Sequence, residues 1–378
     1  MIVVPSPFVA LLAFALLLAV AACAEEADPP PWSMPNENIF PDDVLAREFE
    51  YRRSVPFGEE SLGLRLPCRS DWKWAALTSD TKGHHNRMVT LARVESPGDR
   101  EVALEMKYLL LREDVKLEDW VDYFLDVQGL VAVSGRVATY HERRTVDVVA
   151  ELREPDGRVF VARLGFFKNA DRIWLTVGSA PRAKYEQYAR EFGVAVTGAT
   201  PATLSTAEFA EPLRDARLEA PYPLGFAFPE SWTLVPADEP PDGVGAVDLR
   251  HEEAQSLRGL IKIRLYAKDR IPGFDVEKAG WSVFEELKSD WPDLQPKERL
   301  SILEATTSDF PGKGRMAVYS VAVGGEEAEV HELILDRPEA VAAVVLISFR
   351  PTRARLGHLF NRRAWEIVGM KLSWGGKR

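Results

Sequence analysis

Val102, Leu104, Met106 and Tyr108 alternate with Ala103, Glu105, Lys107 and Leu109, a period of two that predicts a strand with one wet face. A strand-like run, Met88 to Val94, precedes it. The period then changes: Leu117, Trp120, Val121 and Phe124 fall at i, i+3, i+4 and i+7, one face of a helix. Three strand runs follow, Thr145 to Leu152, Arg158 to Phe166 and Arg172 to Val177. Pro181 opens a closing helix whose Tyr185, Tyr188, Ala189 and Phe192 share a face. The order then returns. Ile261, Ile263 and Leu265 alternate with Lys262, Arg264 and Tyr266, and Val276, Gly280, Val283, Phe284 and Leu287 make a helix face. Arg315 to Val323, Glu329 to Leu335 and Ala343 to Phe349 supply strands, and a terminal helix from Pro351 turns Leu356, Leu359, Phe360 and Ile367 inward.

A shared motif marks the start of each round. Leu224-Gly225-Phe226-Ala227-Phe228-Pro229-Glu230-Ser231-Trp232 reads as a short strand, a turn and an aromatic plug, and Leu62-Gly63-Leu64-Arg65-Leu66-Pro67 followed by Trp72 is its upstream echo. Leu62 to Trp120 is 58 positions and Leu224 to Trp281 is 57, so both helical tryptophans are expected as repeat-positioned core residues. The expected organisation is a signal peptide with lipobox over 1–23, a spacer over 24–54, one domain over 55–197, a linker over 198–221 and a second domain over 222–378. A short helix is expected within Asp42 to Arg53, and a helical turn around Glu208 to Arg214. Strand, turn, two strands, helix, three strands, helix, with hairpin-length gaps, predicts an α+β fold of two tandem domains, each a mainly antiparallel sheet covered by helices.

The Leu224 to Trp232 motif, the mid-domain helix, the strand ending Ile347-Ser348-Phe349 and the closing helix together resemble the PsbP-like α/β/α sandwich. That fold is shared by photosystem extrinsic subunits, the Ran-binding nuclear import factor of yeast, bacterial lipoproteins and secretion-effector chaperones. The first copy departs from the pattern, since Cys68 to Asp71 lengthens the turn before Trp72. The matching residues are core and turn positions. The resemblance therefore implies a fold and a habit of binding proteins, and no reaction.

The N-terminal stretch changes the setting. Phe8 to Ala19 is a continuous apolar run of signal-peptide length, and Val20-Ala21-Ala22-Cys23 resembles a lipobox in which Cys23 is the lipidation site. Ala22-Cys23-Ala24 also fits an ordinary signal-peptidase site, and the absence of Lys or Arg before the apolar run departs from both patterns. The third alternative, an uncleaved anchor, is shortened by Pro5 and Pro7 below the ~20 residues a bilayer requires. Each reading places the folded part outside the cytoplasm, periplasmic or cell-surface, held to a bacterial membrane or secreted. Asp28-Pro29-Pro30-Pro31 follows as a stiff acidic spacer. Of two cysteines, Cys68 has no partner once Cys23 is lipidated or removed, and is expected as a small packed residue.

No catalytic motif emerges. His141, His251 and His331 each precede Glu, but no second His lies four positions on, so the zincin pattern is missing. His84-His85 sits in a polar loop and lacks further ligands nearby, and Pro311-Gly312-Lys313-Gly314 reads as a turn between strands. No catalytic residue, metal or cofactor is expected. A hydrolytic site assembled from residues far apart in sequence would leave no such trace. With 47 Lys+Arg against 58 Asp+Glu, a net charge of −11 disfavours nucleic acid as a partner. Against that acidic background Arg350, Arg353, Arg355, Arg362 and Arg363 cluster at and along the last helix, either as a solvated face or as a docking face for an acidic partner or anionic lipid heads. Trp32, Trp74, Trp291 and Trp374 have no core assignment, and Trp374 joins the arginines as a candidate partner-binding residue. The function expected is a non-catalytic envelope lipoprotein that binds another envelope protein. The alternative is a small-ligand carrier with its site between the two domains.

Overall fold

The computed structural model describes residues 40–75, 77, 88–237, 239–254, 256–307, 310–349 and 355–375. The fold is α+β, and the described residues divide between Glu211 and Pro212 into two compact units.

The first unit opens with a short helix α1 (Asp42–Glu48), then β1 (Phe49–Ser54), β2 (Leu64–Arg69), β3 (Lys73–Trp74), β4 (Val89–Ser96) and β5 (Asp99–Leu110). Helix α2 (Leu117–Val127) leads to β6 (Val131–Tyr140), β7 (Arg143–Arg153), β8 (Val159–Asn169) and β9 (Arg172–Pro181). Helix α3 (Arg182–Gly198) and a two-residue β10 (Thr200–Pro201) complete it. Seven strands form one sheet in the order β3-β4-β5-β9-β8-β7-β6, and β1-β2-β10 form a smaller one. Neighbouring strands pair antiparallel. The β6–β7 hairpin turns at His141 and Glu142, both with positive φ (48° and 64°), the backbone of a type I′ turn. His141-Glu142 is therefore turn chemistry.

The apolar faces of this sheet are covered separately. On one, α3 buries Tyr185, Phe192 and Ala195 together with Leu64, Leu66, Cys68 and Trp72 from the β2 region. On the other, Trp120 and Phe124 of α2 meet Phe166 edge-on at 6.0 and 5.4 Å. Close approach of α3 depends on Gly178, where an added Cβ would lie 2.4 Å from the Phe192 ring. Beneath α3 the apolar layer is interrupted by a fully buried ion pair: Arg163 donates twice to Asp147 (3.0 and 2.7 Å), and Tyr140 O–H donates to the same carboxylate at 2.7 Å.

The second unit repeats the plan with β11 (Leu213–Leu218), β12 (Leu224–Pro229), β13 (Thr233–Pro236), β14 (Val244–Glu253), β15 (Ser256–Ala267), α4 (Val276–Asp290), β16 (Gln295–Thr307), β17 (Phe310–Val323), β18 (Glu326–Asp336), β19 (Ala340–Phe349), α5 (Arg355–Met370) and β20 (Ser373–Trp374). Its sheet order, β13-β14-β15-β19-β18-β17-β16, matches that of the first unit strand for strand, and β11-β12-β20 is its small sheet. Helix α5 packs Ala364, Trp365 and Val368 with Phe226, Phe228 and Trp232 on one face. Helix α4 packs Ala279, Val283 and Leu287 on the other. Each unit is thus a sheet between helical layers.

Several sequence expectations change. Four strands, not three, separate the two helices of each unit, the extra ones being the edge strands β6 and β16. Strand β1 lies in the stretch expected as spacer and pairs with β2 along its length. The stretch expected as linker holds β10 and β11, and bends with the start of β11 replace the helical turn at 208–214. Residues 311–314 run within β17, so the expected turn there is a strand segment. Residues 1–39, with the lipobox, and His84-His85 lie outside the described residues. Among the described residues no helix is long and apolar enough to cross a membrane.

Candidate functional site

The most concentrated polar chemistry in the second unit lies under α5, and the strand period builds it. Glu329 and His331, two apart on β18, point to the same face of the sheet as Leu333 and Leu335. Ladder pairing sets Ser348 of β19 opposite Glu329, Gly259 of β15 opposite Ser348, and His251 of β14 opposite Gly259. One row across four strands therefore reads Glu329, Ser348, Gly259, His251. Helix α5 lowers His358 and Asn361, three apart and so on one face, onto that row. Gly259 is the position that admits Asn361: a Cβ there would sit 2.8 Å from the amide.

Hydrogen bonds link these side chains in series. His251 Nδ1 is 2.7 Å from Asn361 Oδ1, and Asn361 Nδ2 donates to Ser348 Oγ at 3.0 Å and to the Arg258 carbonyl at 2.8 Å. Ser348 Oγ is 3.0 Å from His358 Nδ1, and His358 Nε2 is 2.9 Å from Glu329 Oε2. His331 Nε2 reaches the same oxygen at 3.0 Å. Donor directions are consistent with both imidazoles donating to the carboxylate. Aromatic rings wall the row: His251 stacks on Trp232 at 5.3 Å, and His331 packs on Trp365 at 5.5 Å, whose indole donates to the Val344 carbonyl. Burial, reinforced by the positive charge of Arg362 and opposed by Glu366, pushes His331 down to about 3, so its imidazole is neutral near pH 7.

Ser348, His358 and Glu329 thus stand in the order of a nucleophile, base and orienting carboxylate. Ser348 is 0% exposed, however, and Asn361 covers its hydroxyl. A hydroxyl without surface meets no acyl substrate. Such a row is suited to holding a helix on a sheet or to holding an ion.

Of the residues singled out from the sequence, Cys23, Arg350 and Arg353 lie outside the described residues, and Arg355 opens α5. Arg362 and Arg363 are half-buried, and Arg363 donates to Glu366 at 3.3 Å. Trp374 in β20 pairs with β12, rests 5.7 Å from Tyr222 and carries the Arg337 guanidinium 5.0 Å above its ring. Arg363 and Trp374 are engaged within their own unit. Cys68 is packed in the core as expected, its thiol pushed up to about 11 by burial, with Arg52 pulling the other way.

Trp281 departs from expectation. Its repeat-spaced counterpart Trp120 is buried, whereas Trp281 is 63% exposed. The helical period explains it: α4 buries Ala279, Val283 and Leu287, and a residue two past Ala279 points about 200° away. Trp281 lies edge-on to Phe284 at 6.5 Å, Phe284 in turn meets Tyr319 at 6.5 Å, and Lys288 Nζ sits 5.4 Å above Phe284. An aromatic strip with a basic rim results. Elsewhere on the α4 side, a cleft of about 760 Å³ is lined by Asp248, Lys262, Arg264, Glu286, Asp290 and Trp291. Its charges are paired with each other, Arg264 to Asp248 and Glu286 at 2.8 and 2.7 Å and Lys262 to Asp290 at 2.9 Å.

The sequence reading missed the row under α5 because it looked for a second His four residues from the first. The informative signal was Glu329 and His331 at inward positions of a strand that continues on that side as Leu333 and Leu335, with His358 and Asn361 three apart among Leu359 and Phe360.

No family model matches the chain. No curated protein matches it. Solved structures similar to it include cyanobacterial PsbP from Synechocystis sp., 12% identical over 46% of this chain and 99% of that one, TM-score 0.31. LpqN of Mycobacterium tuberculosis, described as involved in cell envelope biogenesis, is 14% identical over 43% of this chain and 90% of that one, TM-score 0.28. The type VI secretion immunity protein TplEi of Pseudomonas aeruginosa is 10% identical over 82% of this chain and 99% of that one, TM-score 0.23. At these identities and TM-scores no functional residue carries across.

Proposed function

We propose that this chain is a non-catalytic, exported binding protein, built from two PsbP-like domains and tethered to a bacterial membrane through a lipidated Cys23, and that it docks a folded envelope protein on α4 of its second unit. The observation that carries this reading is Trp281, 63% exposed on a helix of 15 residues. A large indole left in water forgoes the ~1.5–3 kcal/mol that burial of such a side chain yields, and binding recovers it. Trp is also the residue type most enriched where interfaces concentrate their energy, with aromatic neighbours and a charged rim around it. Phe284, Tyr319 and Lys288 supply those surroundings.

Arg350, Arg353 and Arg355, which precede and open α5 in sequence, together with Arg362, Arg363 and Trp374, form a proposed second contact that steers an acidic partner. Charge at a rim acts on the association rate and its salt dependence more than on the final affinity.

The test is cross-linking in the native cells, followed by quantitative recovery of the tagged wild type, Trp281→Ala and the triple variant Arg350→Glu, Arg353→Glu, Arg355→Glu. One stoichiometric envelope protein recovered with wild type and lost with Trp281→Ala is expected. Equal recovery with Trp281→Ala removes α4 from the interface, and the N-terminal peptide from the same sample shows whether Cys23 is acylated.

A further inference from the structure

We infer that Glu329, His331 and His358 form a binding site for one divalent transition-metal ion of the zinc class, which pins α5 to the sheet of the second unit. Among the described residues, these three are the group of His and carboxylate side chains whose ligand atoms converge, all within 4.8 Å of one another and all buried. The two imidazole Nε2 atoms lie 3.0 and 2.9 Å from the same carboxylate oxygen. A tetrahedral zinc ion with ligands at about 2.0–2.1 Å holds its ligand atoms about 3.3 Å apart, so each of the two nitrogen–oxygen separations needs to open by only a few tenths of an ångström, and the third separation is already under 4.8 Å. Two imidazoles and one carboxylate are the donor set of zinc and its neighbours, whereas calcium and magnesium require oxygen ligands.

The surroundings have the form of an outer ligand shell. To bind through Nε2, His358 must carry its proton on Nδ1, and that atom faces Ser348 Oγ at 3.0 Å, an oxygen able to accept it. Ser348 is fixed in turn by Asn361, which occupies the space that Gly259 leaves open. His331 is held against Trp365. The ligands come from β18 and from α5, so an ion bound by all three joins the helix to the sheet. The fourth position falls to water, and with ligands 4–6% exposed the ion is structural.

The corresponding place in the first unit is occupied differently. There β8, which holds the same sheet position as β18, carries Arg163 bound to Asp147 beneath α3. The first unit closes this position with an ion pair made of its own side chains, and the second uses a set that accepts a cation.

The experiment uses the full mature chain, freed of any affinity tag, stripped with chelator and then equilibrated with Zn²⁺ or Co²⁺. Expected are one retained ion per chain after desalting, the visible bands of four-coordinate cobalt, and a rise in thermal midpoint with Zn²⁺. His331→Gln and His358→Gln should each lose at least 100-fold in affinity, while the control variant His84→Asn/His85→Asn retains it. Should either ligand variant fail to fold, Ser348→Ala keeps all three ligands and removes the outer contact to His358 together with the Asn361 bond to the same hydroxyl, and about a 10-fold loss is expected of it. Absence of a retained ion and of cobalt bands in the wild type overturns the inference. Binding unchanged in His331→Gln, or lost in His84→Asn/His85→Asn, overturns it equally.

Discussion

Glu329 and Ser348 face each other directly across the β18–β19 ladder, and both reach His358, one through each ring nitrogen, at 2.9 and 3.0 Å. The imidazole of a helix is thereby gripped by two strands. Ser348→Ala breaks the grip on one side and leaves His358 Nδ1 and an Asn361 N–H facing a methyl group. Because a buried polar atom stripped of its partner costs about 1–3 kcal/mol, urea unfolding of Ser348→Ala should show a loss in that range. A loss below the resolution of the measurement would mean that the series of bonds under α5 is not what holds the helix.

Gly259 and Asn361 make a sharper case. An added Cβ at 259 would lie 2.8 Å from the Asn361 amide, so Gly259→Ala must displace that side chain and with it the bonds to Ser348, His251 and the Arg258 carbonyl. Overpacking of this kind costs about 1–3 kcal/mol. Asn361→Ala removes the obstacle, so the double variant should be less destabilised than the sum of the two single ones. Additive losses would show that the two residues do not compete for the same space.

How much of this was legible beforehand follows from which residues carry periodicity. Helices α2 and α3 were read correctly because Leu117, Trp120 and Val121, and Tyr185 and Phe192, repeat at the helical period and are buried. Strand β6 escaped because, as an edge, it exposes Val131 and Val137, and Ser134-Gly135-Arg136 interrupts its apolar positions. The row under α5 escaped for another reason: its members come from β14, β15, β18, β19 and α5, and strand register, not sequence spacing, joins them. Trp281 shows the limit of repeat spacing. The two spacings differ by one residue, and one residue turns a helical side chain by about 100°, enough to take Trp281 off the buried face of α4.

The buried pair of Asp147 and Arg163 predicts a larger effect. Both side chains are fully buried and joined by two bonds. Asp147→Ala leaves the guanidinium uncompensated in the core of the first unit, and loss of one partner of such a pair costs about 3–5 kcal/mol. Replacing both residues with apolar ones of similar volume, Asp147→Leu with Arg163→Met, should recover most of that loss. Denaturant midpoints of the single and double variants test it.

Glu105 supplies a pH dependence. Burial raises its carboxyl, but the nearby ammonium of Lys107 and the guanidinium of Arg93, at 2.7 and 2.6 Å, outweigh that and hold it below the usual glutamate value. A carboxyl whose folded value is depressed contributes its stabilisation above the unfolded value and loses it as pH falls through the folded one. Wild type should therefore exceed Glu105→Gln in stability near pH 7, and the gap should narrow on acidification from about pH 4.5 downward. A gap that stays constant across that range would assign the effect of Glu105→Gln to packing.

Trp281 separates binding from folding. Its indole is 63% exposed, and the core side of α4 is made by Ala279, Val283 and Leu287, so Trp281→Ala should change unfolding free energy by no more than about 0.5 kcal/mol. Val283→Ala, cut from the same helix on its buried face, should cost several times as much. Partner recovery should order the two variants the other way, with Trp281→Ala losing at least 10-fold in affinity and Val283→Ala, where folded, close to wild type. Equal loss of stability in both would place Trp281 in the packing of the fold, and its exposure would then carry no information about a partner.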